Sequence, residues 1–161
     1  MEKSAPREEI LKVAATLFSL KGYAGTTMAE IADAVGIRSP SMYYHFSDKA
    51  EILMALANIC LDEALADSQK LLKSKSESIP ARLYSLVHEQ VYRLCVSPYE
   101  MNCMFDPAFH GPEFAVIAKR LQSWLADMEI LIRRGIEEGF FSPQNTKVAT
   151  YTVRGLVESA I

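Results

Sequence analysis

Between Ser39 and Lys49 the run Ser-Pro-Ser-Met-Tyr-Tyr-His-Phe-Ser-Asp-Lys gathers many polar tips in a short span. Ser41 offers a short hydroxyl, Tyr43 and Tyr44 long planar bodies ending in a donor, His45 an imidazole and Lys49 an ammonium. Side chains of these types bond base edges and phosphate oxygens, and a buried helix would not carry so many of them. Lys49, in the first turn of a following helix, is placed to meet a phosphate together with that helix's free amides. Met42 and Phe46, four apart, are assigned to the core. Other constellations are weaker. His110 and Glu113 have ligand spacing, but two candidates do not make a metal site. Cys103, His88 and Asp106 can be assembled on paper into a nucleophilic trio, yet no local signature supports it. No catalytic residue, cofactor or metal is expected.

The elements that must position this cluster are helical. Ile10, Leu11, Ala14, Leu17 and Phe18 recur at three and four residues, predicting a helix from about 7 to 20 that Gly22 stops. Thr27-Met-Ala-Glu30 reads as a capping box opening a short helix with Met28, Ile31, Ala32 and Val35 inward and Gly36 at its end. Ser39 is expected as the N-cap and Pro40 as the first residue of another short helix, 40–46. Two short helices joined at Gly36-Ile37-Arg38, with a supporting helix in front, have the proportions of a helix-turn-helix. Ser47-Asp48 opens a long helix, and Ser74-Lys-Ser-Glu-Ser78 reads as a solvated linker. Further helices are expected from Pro80 to about Val96, from Pro112 to Glu138 and from about Pro143 onward, with a short helix and loops near 98–111. No strand pattern and no internal repeat is present, so the fold class is all-α.

Composition agrees. Of 161 residues 50% are hydrophobic and 23% charged, enough for a core and incompatible with disorder. The net charge of −3 advertises no global affinity for nucleic acid or membrane. Residues 1–49 carry six basic and six acidic side chains, so the acidic excess lies elsewhere. Cys60, Cys95 and Cys103 form no C-x-x-C pair, which disfavours a disulfide framework or a cysteine zinc site. The longest apolar run, Ile52 to Leu61, is interrupted by Asn58 and falls far short of the roughly 20 residues that span a bilayer. The charged first residues lack the apolar stretch of a secretory leader. A cytoplasmic location without membrane association is the expectation.

The first fifty residues resemble the TetR/AcrR family of bacterial transcriptional regulators. The resemblance rests on Ile10-Leu11, Ala14-Ala15, Leu17-Phe18, Gly22-Tyr23, Thr26-Thr27, Ile31-Ala32, Val35-Gly36-Ile37, Met42-Tyr43-Tyr44-His45-Phe46 and Lys49, in the family's order and spacing. It implies that Thr27 caps the second helix against a phosphate. Ser39, Pro40 and Ser41 then read bases, while Tyr43, Tyr44, His45 and Lys49 grip the backbone. Arg38 stands where the family favours a small hydroxyl residue, so the cap is expected to move to Ser39 and Arg38 to become a DNA contact. Ala50 replaces a commoner acid, so Ser47 is expected to lack its full capping box.

The implied organisation is a helix-turn-helix DNA-binding head at 1–49 and a helical-bundle ligand-binding and dimerisation body at 50–161. The implied partners are a pseudo-palindromic duplex operator, a small-molecule effector that releases it, and a second copy of the chain. Tyr84, His88, Tyr92, Phe105, Phe109, Trp124 and Met128 are the candidate effector lining: apolar walls with a few polar tips. Plain core packing is the alternative for these aromatics. The last predicted helix shows Val148, Thr152, Gly155 and Ser159 on one stripe beside Tyr151, a surface that lets another helix approach closely. The family pairs its last two helices across the dimer. The run to Ile161 carries no helix-stop residue, so the family's final helix is expected to be missing here. The rival reading is a helical module whose helix-turn-helix docks proteins rather than DNA; an enzyme built on a helical bundle is remote.

Overall fold

The computed structural model describes residues 7–97, 99 and 111–159. Every regular element among them is helical. The order is α1 (Arg7–Lys21), α2 (Met28–Val35), α3 (Ser39–His45), α4 (Lys49–Lys73), α5 (Ile79–Val96), a 3-10 turn (Pro112–Phe114), α6 (Ala115–Glu137) and α7 (Thr146–Glu158). The short helix expected near 98–111 lies outside the described residues, as do Cys103, Asp106 and His110.

The chain separates into two compact units, residues 1–59 with 97–117 and residues 60–96 with 118–161. In the first, Ile10, Leu11, Ala14 and Phe18 of α1 close over Ile31 and Ala32 of α2, Met42 of α3 and Ile52, Leu53 and Leu56 of α4. Phe46 and Phe114 complete this core, at 1% and 0% exposure. Burying each such ring stabilises the unit by roughly 1.5–3 kcal/mol. Tyr23 packs its ring at 5.5 Å from Phe18 and edge-on at 5.6 Å from Phe114.

In the second unit Ala64, Leu86, Trp124, Leu125, Met128, Leu131 and Ile132 form the core, with Ala149 and Val153 of α7 against it. Buried Ser68 links α4 to α6 by donating to Asp127 Oδ2 at 2.6 Å. Arg93 pairs with Glu63 and Asp67, and Arg120 with Asp62, tying α4 to α5 and α6.

Helix ends follow local chemistry. Gly36, at φ 79°, donates to Asp33 O while Ile37 donates to Ala32 O, which is the Schellman closure of α2. Gly139 and Phe140 close α6 in the same way on Ile136 and Gly135. Three expected boundaries move. Pro112–Phe114 is a 3-10 turn, so the long helix starts at Ala115. α7 starts at Thr146 because Asn145 Oδ1 accepts from the Val148 amide at 3.1 Å, which fixes the N-cap two residues beyond Pro143. Ser39 is not the N-cap of α3: the carbonyl of Arg38 already accepts from the Ser41 and Met42 amides, so Arg38 takes the cap position, with no side-chain cap.

Candidate nucleic-acid interface

α3 is held from beneath and open above. Met42 is fully buried and Phe46, at its C-cap, almost so, which fixes the rotation of the seven-residue helix about its axis. Side chains one or two positions away are then turned outward. Arg38, Ser39 and Pro40 are exposed, Tyr43 is 56% and Tyr44 86% exposed, and Ser41 and His45 are half-buried. The Tyr44 ring meets His45 edge-on at 5.3 Å. The Arg7 guanidinium lies 4.5 Å over the Phe46 ring, closing the far side.

Thr27 makes the capping box read from the sequence. Its hydroxyl oxygen accepts from the Glu30 amide at 3.2 Å, and Glu30 Oε2 accepts from the Thr27 amide at 2.8 Å. Two features were not legible in advance. The Thr27 hydroxyl also donates to Glu30 Oε2, and Lys21 Nζ reaches Glu30 Oε1 at 2.8 Å. The Lys21 ammonium, then the Thr27 donors, hold the Glu30 carboxyl at about 2. Lys21 thereby offsets a carboxylate next to a face proposed to meet phosphate. The nine-residue separation of the pair hides it from helical spacing rules.

Lys49 takes a position different from the expected one. Its ammonium donates to the carbonyls of Tyr23 and, at 2.7 Å, Thr26, and lies 4.1 Å over the Tyr23 ring. The carbonyls of the α1–α2 turn draw it inward. Ser47 lacks its full capping box, as expected. Glu51, one turn on, accepts from its amide at 2.7 Å and its hydroxyl at 3.0 Å, while Asp48 Oδ1 accepts from the Glu51 amide. Glu51 thus gives the Ser47 amide a carboxylate partner, but the side chain that caps α4 is that of Asp48. Thr26, buried, donates to the Gly22 carbonyl at 3.0 Å and so shapes the turn that Lys49 grips.

The expected effector lining does not come together. Tyr84, His88 and Tyr92 form an exposed stack along α5, with centroids 5.5 and 6.3 Å apart, whereas Trp124 and Met128 are buried in the second unit's core. Helical geometry separates them: the inward stripe of α5 is Ile79, Arg82, Leu86, Gln90 and Leu94, so residues at 84, 88 and 92 face the other way. Phe105 and Phe109 lie outside the described residues. A recess of about 390 Å³ in this unit is lined by other residues, among them Leu83, Ile132, Phe141 and Val148. Elsewhere in the second unit, Gln90 Oε1 and Trp124 Nε1 are buried without a hydrogen-bond partner.

Comparison with known proteins bears on both units. Residues 10–56 match the family model for bacterial regulatory proteins of the tetR family. The transcriptional repressor KstR2 of Mycobacterium tuberculosis H37Rv is 30% identical over 140 residues, covering 85% of this chain and 70% of that protein. The biofilm operon negative regulator IcaR of Staphylococcus aureus (strain Newman) is 36% identical over 86 residues, 53% of this chain and 46% of its own. The crystal structure of AmtR from Mycobacterium smegmatis superposes with a TM-score of 0.85 at 31% identity, covering 99% of this chain and 77% of that one. The likeness to KstR2 and AmtR runs well past the head into the divergent helical half, and the chain belongs to the tetR family of bacterial regulatory proteins.

Proposed function

We propose that the protein is a ligand-responsive transcriptional repressor that binds a pseudo-palindromic duplex operator as a homodimer and leaves it when a small-molecule effector binds. The observation that carries this reading is the outward face of α3: Arg38, Ser39, Pro40, Tyr43 and Tyr44 stand exposed on a helix locked from below by Met42 and Phe46. Ser39, Pro40 and Ser41 address base edges, and Arg38, Tyr43, Tyr44, His45 and the Thr27 end of α2 address phosphates. Lys49 serves binding indirectly, by fixing the start of α4 against the α1–α2 turn.

The effector is taken by the second unit, where Gln90 Oε1 and Trp124 Nε1 lack partners inside an apolar core. Buried polar atoms left unpaired cost free energy that a ligand's own donor and acceptor would recover. α4 begins in the first unit and continues into the second, so it is the element through which effector occupancy reaches the head. Release requires the effector to favour the DNA-incompetent state. No described helix is long and apolar enough to cross a membrane; the regulator reading itself places the protein in the cytoplasm and assigns it no catalytic role.

The test is selection of duplexes from a random pool by the full chain, then a screen for compounds that release the selected duplex. A recovered inverted repeat whose affinity falls steeply with salt is the expected result. A folded protein that retains no duplex at low ionic strength would sink the reading and favour protein docking by the head.

A further inference from the structure

Most arginines described in the second unit meet an acid. Arg93 has Glu63 and Asp67, Arg120 has Asp62, Arg133 has Glu129 and Arg154 has Glu158. Arg82 differs. It sits on the inward stripe of α5 at 9% exposure, its Nε is buried without a hydrogen-bond partner, and among the described residues no carboxylate pairs with it. A guanidinium cannot shed its proton to escape burial, so an unpaired one is expensive unless an anion reaches it.

Arg82 also lines an open recess of about 600 Å³ where the end of α4, the following linker, the start of α5 and the end of α6 meet. The other lining residues are Leu72, Lys73, Ser74, Lys75 and Arg134, giving four cations, one hydroxyl and no acid. Arg134 Nη1 donates to the Leu72 carbonyl at 3.1 Å, which anchors one guanidinium at the rim. Guanidinium forks pair with carboxylate and phosphate alike, but four positive charges around one recess favour a multiply charged oxyanion over a single carboxylate. The recess falls within the ~300–1,000 Å³ typical of small-molecule sites, larger than one phosphate needs.

We propose that this recess is an anion site that takes the phosphate group of a phosphorylated small molecule, with Arg82 as its buried anchor. No residue of α3, and neither Gln90 nor Trp124, lines the site, and its test involves no DNA.

Calorimetric titration of the full chain with inorganic pyrophosphate, inorganic phosphate and citrate, at constant ionic strength, decides it. Saturable binding of pyrophosphate, one per chain and tighter than citrate, is expected. Arg82→Met should weaken it at least tenfold. Arg133→Met, which removes the same charge from the exposed side of α6, should leave it unchanged. The double variant Lys73→Ala/Lys75→Ala, confined to exposed side chains, should weaken it several-fold and gives the same reading if Arg82→Met does not fold. Absence of saturable binding, or an equal loss in Arg133→Met, overturns the site. Citrate binding as tightly as pyrophosphate overturns the phosphate assignment.

Discussion

The ammonium of Lys49 stands 4.1 Å over the ring of Tyr23 and donates to that residue's carbonyl, so the first residue of α4 is fastened to the turn that follows α1. A second bond, to the Thr26 carbonyl, makes the fastening bidentate. The charge is spent inside the head, on two backbone acceptors and an aromatic face.

Lys49→Met should therefore act first on stability. Losing two charge-assisted hydrogen bonds and a cation–π contact is expected to cost about 2 kcal/mol, visible as a lower denaturation midpoint. The slope of log affinity against log salt should not change, since no phosphate contact is lost; a slope shallower by about one would mean that Lys49 does neutralise a phosphate.

Tyr44 is the converse case. At 86% exposure it supports no core, so Tyr44→Ala should leave stability within about 0.5 kcal/mol. Operator affinity should nevertheless fall, across all duplexes alike. Ser41→Ala, at the end of α3 proposed to read bases, should instead alter the ranking of duplex sequences. Equal behaviour of the two variants in a competition assay would contradict the division of roles.

Acid should loosen the start of α2 in a defined window. Folding depresses the Glu30 carboxyl from 4.5 to about 2, so its contribution is fully present above about 4.5 and is lost as pH falls toward 2. Glu30→Gln should show less stability than the parent at neutral pH and converge with it at the acid end. Thr27→Ala should cost about 1 kcal/mol through the lost cap. Denaturant midpoints measured across pH give both results.

Two glycines should fail for different reasons. A Cβ at Gly36 would meet nothing within 4 Å, so Gly36→Ala is expected to cost only the left-handed backbone, about 1–2 kcal/mol. At Gly135 a Cβ would lie 2.2 Å from the Phe141 ring, so Gly135→Ala must displace that ring and disturb the close of α6. Amide exchange localised to 135–141 is the expected signature of the second variant only.

What the sequence alone determined is chemistry between chain neighbours. The Thr27–Glu30 box and the glycine closures after α1, α2 and α6 involve groups within a few residues, so their geometry follows from spacing. The core rotation of α3 was equally legible, because Met42 and Phe46 are its apolar pair in a helix too short to have another face. The tertiary structure decided which way longer-range choices fell. Lys49 turned inward because carbonyls from a turn more than twenty residues earlier were waiting for it. Arg38 took the cap because its carbonyl, and no side chain, closes the first turn of α3. The aromatic stripe of α5 turned outward because Leu86 and Leu94 claimed the interior, carrying Arg82 and Gln90 in with them. A helix stripe records that a face exists; only packing against partners distant in sequence selects which face is buried.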